Sequence, residues 1–137
     1  MTTLSPQELA YTLLRFALGL NIFLHGAVRL GSNYQKFIDW TTGLFQNTPL
    51  PSFAVQAFAH SIPILEVTFG LLILLGLFTL PALIGGTLVM IGLMAGMCII
   101  QNWEIVGIQM IYIFLYTVLT FTLTYNGLSI DRFLIRK

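Results

Sequence analysis

The sequence predicts an all-α membrane protein: a bundle of four transmembrane helices with an amphipathic connection between the first and second. Three observations carry this. Hydrophobic residues make up 57% of the 137-residue chain and charged residues 8%, with a mean hydropathy of +0.89; a soluble domain is about a quarter charged. The charges are also segregated. Val67 to Trp103 is a run of 37 residues without Asp, Glu, Lys or Arg, and Ile105 to Ile130 is a run of 26 more. Finally, the two-residue alternation of a β-barrel is absent.

This composition argues against a cytosolic enzyme, a disordered protein and a nucleic-acid binder. The net charge of +1 gives no basic footprint. The lone Cys98 excludes an internal disulfide and a thiolate metal cage.

The elements follow in order, since a span needs about 20 apolar residues. The first span is expected at about residues 9–30, where Arg15 is the only charge before Arg29. It lacks a basic leader and a small-x-small cleavage site, so it is expected to remain in the mature protein. The second span is expected at 53–76. The 37-residue run is too long for one helix, and Gly76 and Pro81 divide it with a turn at Leu77–Pro81. The third and fourth spans are then expected at 81–101 and 105–125. One domain over 1–137 accommodates all four.

The connection Gly31–Ser52 carries Phe37, Trp40, Leu44 and Phe45. At helical spacing these share a face, which fits a short helix in the headgroup region; a plain loop with aromatic anchors is the other reading. Orientation follows from the basic tail of Arg132, Arg136 and Lys137, set against a third connection, Asn102–Glu104, without positive charge. Both termini are expected in the cytoplasm and the aromatic connection outside.

Ionisable groups inside the bilayer are costly and usually face the bundle interior in pairs. Asn21, His25 and Arg29 recur every four residues, on one stripe of the first helix. Glu66 in the second span is expected at a similar depth, paired with Arg29 or His25. Gln101 and Gln109 fall in the same half, near Tyr112. These six residues, Asn21, His25, Arg29, Glu66, Gln101 and Gln109, form either a polar pocket or interhelical glue. A pocket for a quinone ring would add walls such as Phe23, Trp40, Trp103 and Tyr112. Arg15 is expected to snorkel to the cytoplasmic interface, and the threonines from Thr117 to Thr124 to bond back to their own helix. Haem between His25 and His60 lacks further support. Gly92 and Gly96, with Gly85 behind them, point to close helix packing in the third span, against a partner inside the chain or in another subunit. No catalytic nucleophile, phosphate loop or metal signature appears.

The first helix reads LLRFALGLNIFLHGAVRL, the second PILEVTFGLLILLGLFT, and the chain closes with NGLSIDRFL. In these segments the chain resembles the DoxX family of small four-helix membrane proteins. Their order and spacing are similar to the family's arginine and histidine-glycine-basic helix, its glutamate helix and its serine-leucine-aspartate ending. Arg29 stands where lysine is usual, and MAGMCIIQNW replaces a histidine-containing end of the third helix. The resemblance implies weight at Arg15, His25, Arg29 and Glu66. It implies a small or accessory subunit of a larger assembly in the bacterial inner membrane, in contact with lipid and with a protein partner or a second copy. The family includes the small subunit of thiosulfate:quinone oxidoreductase, so the alternative is a subunit passing electrons from a sulfur compound to the quinone pool, with quinone as cofactor. A small-molecule carrier would need an inverted repeat, and none is evident.

Overall fold

Ser5 starts the first helix. Its hydroxyl accepts from the Glu8 amide at 3.2 Å, while the Glu8 carboxylate accepts from the Ser5 amide at 3.0 Å. This reciprocal capping box, with Pro6 at the first position, sets helix α1 at Pro6–Arg29. The start lies three residues before the boundary that hydropathy predicts, because the cap rather than apolarity decides it.

The computed structural model describes residues 4–135; Arg136 and Lys137, two of the three basic residues used for orientation, lie outside the described residues. After α1 come a 3₁₀ turn at Gly31–Asn33, α2 (Tyr34–Phe45), α3 (Ser52–Leu75), α4 (Thr79–Ile99), α5 (Trp103–Phe121), a 3₁₀ turn at Leu123–Tyr125 and α6 (Ile130–Ile135). Four of these, α1, α3, α4 and α5, are long and apolar enough to cross a membrane, and no strand occurs among the described residues. The protein is an integral, all-helical membrane protein whose bundle meets lipid. Leu13, Leu88 and Phe114 on its outer surface are each more than 60% exposed. The connection between the first two spans is helical, and Phe37, Trp40, Leu44 and Phe45 do share one side of α2.

The side of the membrane that carries α2 is termed the loop side, and the side that carries both chain ends the terminal side. The most extensive helix contact is α1 against α3. Glycines permit it: a Cβ on Gly19 would lie 2.5 Å from the Leu74 amide nitrogen, and one on Gly26 would lie 2.6 Å from the Pro63 carbonyl. Gly70 meets the Phe23 backbone in the same way. Side chains there would force the backbones apart. Within the chain, the close crossing is not made by Gly85, Gly92 and Gly96, where tight packing was also expected. Those three face the rings of Phe69, Phe58 and Phe45, not another helix backbone. The GxxxG spacing is present, but the close crossing is made elsewhere.

Helix α5 packs along α4 and meets α1 only briefly. The main core lies between the spans and includes Leu18, Ile73, Leu83, Tyr116 and Leu119; a second cluster of Phe45, Val55 and Met97 lies toward the loop side. Thr117, Thr120 and Thr122 donate to carbonyls four residues back, as expected. Helix α5 ends at Phe121, four residues short of the expected limit, as the chain tightens into the 3₁₀ turn.

The turn between α3 and α4 needs two left-handed residues, Gly76 (φ 65°) and Phe78 (φ 46°). Helix α4 then begins at Thr79, two residues before Pro81, without a capping side chain of its own. Asp131 supplies the cap from the far end of the chain.

Candidate functional site: a cavity on the loop side

A cavity of about 630 Å³ opens between the loop-side ends of the four spans, with α2 along one wall. One part of its lining is apolar: Leu44, Phe45, Val55, Leu93 and Met97. The other carries Arg29, Glu66, His25, Gln109 and Tyr112.

Arg29 ends α1 and Glu66 faces it from α3. One guanidinium nitrogen, Nη1, donates to both carboxylate oxygens, at 2.5 and 2.6 Å. The glutamate side chain is 7% exposed and the arginine 28%. The close α1–α3 crossing puts them within reach, so the partner of Glu66 is Arg29 and not His25. The guanidinium also lies 4.7 Å from the centroid of the Phe37 ring on α2, a cation–π distance that ties the pair to the connection.

His25 lies one turn deeper on the cavity wall. Its Nδ1 is 2.9 Å from the Asn21 carbonyl. A carbonyl only accepts, so Nδ1 is the donor in this bond. Tyr112 packs edge-on to the imidazole, with centroids 6.5 Å apart, and donates its hydroxyl to Asn21 Oδ1 at 2.9 Å. Asn21 thus holds both rings from behind without itself lining the cavity.

Gln109 is buried and lines the cavity. Gln101 does not join it. It sits exposed in the α4–α5 turn at φ 57°, because α4 ends at Ile99, short of the predicted limit. The neighbouring Asn102 caps α5 through its side chain and does line the cavity. Of the four expected aromatic walls, Trp40 and Tyr112 line the cavity. Phe23 packs its backbone on Gly70, and Trp103 is 63% exposed. His60 is engaged by the Tyr34 hydroxyl at 2.9 Å and is not part of the lining. No group of three His, Cys, Asp or Glu residues suited to a metal ion occurs among the described residues.

Residue-type reasoning overlooked Thr41. It is 6% exposed, lines the cavity, and its Oγ1 has no hydrogen-bond partner; the same holds for Gln109 Oε1. No signal in the sequence separates Thr41 from the other helix threonines.

The expectation for Arg15 is corrected. It does not snorkel and is 4% exposed. At 1.5 Å per residue it lies about 13 Å from the start of α1. The last carbonyls of α3 lack helical partners and lie much closer. Arg15 donates to the Ile73 and Leu74 carbonyls at 2.6 and 2.7 Å, and to Leu128 at 2.8 Å. Beside it, the Asp131 carboxylate accepts from the Phe78 amide (2.7 Å), the Thr79 amide (2.8 Å) and the Thr79 hydroxyl (2.7 Å). Partial burial works against the Asp131 charge. The Thr79 and Phe78 hydrogen bonds and the Arg15 charge outweigh it and hold the carboxyl below the usual aspartate range. Arg132 closes the cluster with a 3.0 Å ion pair to Glu8. The terminal side therefore holds a polar cluster of its own.

Searches of curated proteins and of solved structures find no match to this chain. The DoxX family model matches residues 10–99, which include Arg15, His25, Arg29 and Glu66. That match spans about two thirds of the sequence, and with the four-span helical fold it establishes that the chain belongs to the DoxX family.

Proposed function

We propose that this DoxX protein is the membrane subunit of a larger quinone-linked assembly, and that its loop-side cavity receives the quinone head. The observation that carries the reading is the cavity itself. At about 630 Å³ it falls in the range of small-molecule sites, and it pairs apolar walls with a few convergent polar groups. Gln109 lines the cavity, and its carboxamide nitrogen would donate to a carbonyl of such a head. Bound quinone would supply an electron acceptor. The chain's own part would be to bind and orient it, with Arg29 and Glu66 fixing the wall and His25 and Tyr112 bordering the ring. The electrons would come from a partner subunit acting on a reduced substrate, a sulfur compound by family analogy.

The test is purification in mild detergent, followed by solvent extraction and an absorption spectrum. A bound quinone near one per chain, with a co-purifying partner, supports the reading. A stoichiometric partner without quinone favours an accessory subunit with no ligand role.

The same proposal places the protein in a bacterial inner membrane with both termini cytoplasmic, supported by the basic chain end. Cysteine labelling from outside, in a Cys98→Ala background, is expected to reach Asn47→Cys and not Leu4→Cys. The reverse pattern would move the cavity to the cytoplasmic half.

A further inference from the structure

The edges of the cavity are not equally closed. Helix α1 packs extensively on α3, α3 on α4 and α4 on α5, and α2 lies against α3, whereas α5 meets α1 only briefly. On the loop side the Arg29–Glu66 pair joins α1 to α3, and the Tyr34 hydroxyl holds α2 to His60 of α3. The Phe58 ring of α3 covers Gly92 of α4. Phe45 and Met97, with Ile105 and Val106 packed against them, fill the corner between α4 and α5. Between α1 and α5 the described residues form one hydrogen bond, from the Tyr112 hydroxyl to Asn21 at 2.9 Å, with the edge-on contact of Tyr112 and His25 beside it.

Residues on both sides of this seam line the cavity and are exposed as well: His25 on α1 and Ile108 on α5. Val28, one turn beyond His25, is 61% exposed. Asn21 is exposed too, although at 1.5 Å per residue it lies about 12 Å below Arg29. Polar side chains at that depth normally turn away from hydrocarbon. Exposed threonines such as Thr68 and Thr117 manage by bonding to their own helices; Asn21 and Tyr112 bond across the seam. We infer that the cavity exchanges its ligand with the bilayer between α1 and α5, past the Asn21–Tyr112 hydrogen bond, and that the ligand is a membrane-dissolved molecule whose apolar tail leaves the site along this seam. The inference rests on the ligand-binding reading of the cavity and deepens it. One neutral hydrogen bond is a weak latch, and the apolar side chains above it, Leu24, Val28 and Ile108, suit a hydrocarbon tail. A water-borne ligand would gain nothing from an opening onto lipid.

The experiment uses the full chain in phosphatidylcholine vesicles. The first probe is a benzoquinone with an alkyl tail that carries a diazirine near its middle. Photolabelling that a tail-less benzoquinone competes away is expected on Leu24, Val28 and Ile108. Competed labelling confined to α3 or α4 overturns the seam and leaves the cavity reading standing. Labelling that the tail-less quinone cannot compete away overturns the cavity reading and this inference with it. The second measurement follows a tailed benzoquinone without the diazirine by the fluorescence of Trp40 on the cavity wall, in a Trp103→Phe background. Asn21→Leu removes the latch and is expected to speed binding and release alike, about tenfold, the scale of one hydrogen bond, with affinity little changed. Unchanged rates overturn the inference. So does faster release alone, which would mark Asn21 as support for the site and not as part of its entrance.

Discussion

At the terminal side a buried arginine, Arg15, faces main-chain carbonyls of α3 and of the segment before α6; at the loop side Arg29 faces the Glu66 carboxylate across a cavity. The carboxylates differ in the same way. Asp131 receives two backbone amides and a hydroxyl, while Glu66 receives one guanidinium nitrogen. On the terminal side the charges close helix ends that would otherwise carry unpaired groups. They join α1, the α3–α4 turn and α6 into one cluster. On the loop side the charges pair with each other beside the cavity. Identical residue types therefore act as structural joints where free backbone lies within reach, and as cavity lining where only side chains meet across a gap.

Substitutions can break or sharpen this contrast. The largest effect is expected at Arg15. Arg15→Met removes three charge-assisted bonds to buried carbonyls and is expected to cost about 3 kcal/mol or more in thermal unfolding in detergent. A smaller loss than at Arg29 would reverse the roles assigned to the two ends.

Next comes the loop-side pair. Glu66→Gln and Arg29→Gln are each expected to cost about 2 kcal/mol, since each leaves the partner charge alone. The double change is expected to cost less than their sum. Simple additivity in the same melting assay would show that the two side chains do not stabilise each other.

Asp131→Ala is expected to cost about 1 kcal/mol, the scale of a lost helix cap. Its pH dependence sharpens the point. The folded-state pKa of Asp131 is lowered, so its contribution is present above the ordinary aspartate value of 3.8 and fades as pH falls through the folded value. Melting curves from pH 6 down to about pH 2 are expected to show a loss below pH 3.8 that Asp131→Asn reduces. An identical acid profile in that variant would remove Asp131 from the account.

The smallest effect on stability is expected at Gly96, which faces the cavity and the Phe45 ring. Gly96→Leu is expected to change stability by no more than about 1 kcal/mol, because the gain in helix propensity is set against a shift of the Phe45 ring, which lies 3.1 Å from where the new Cβ would be. It is expected to abolish quinone co-purification. Large destabilisation with retained quinone would mean that the cavity is not the binding site.

Much of the fold was legible in residue order alone. Charge-free runs set the four spans, Gly76 and Pro81 marked the turn, and aromatic spacing favoured a helix at α2. The stripe of Asn21, His25 and Arg29 and the lone Glu66 announced a polar cluster, because helical periodicity and the cost of buried charge act locally and at known depth. Three features depended on tertiary structure. Arg15 is turned inward by carbonyls 58 residues or more away in sequence. The cap of α4 comes from Asp131, 52 residues downstream. Thr41 looks like any helix threonine until the space beside it is known. A pattern within one helix records which face is polar; only the packing of several helices decides whether that face meets backbone, a countercharge or an open cavity.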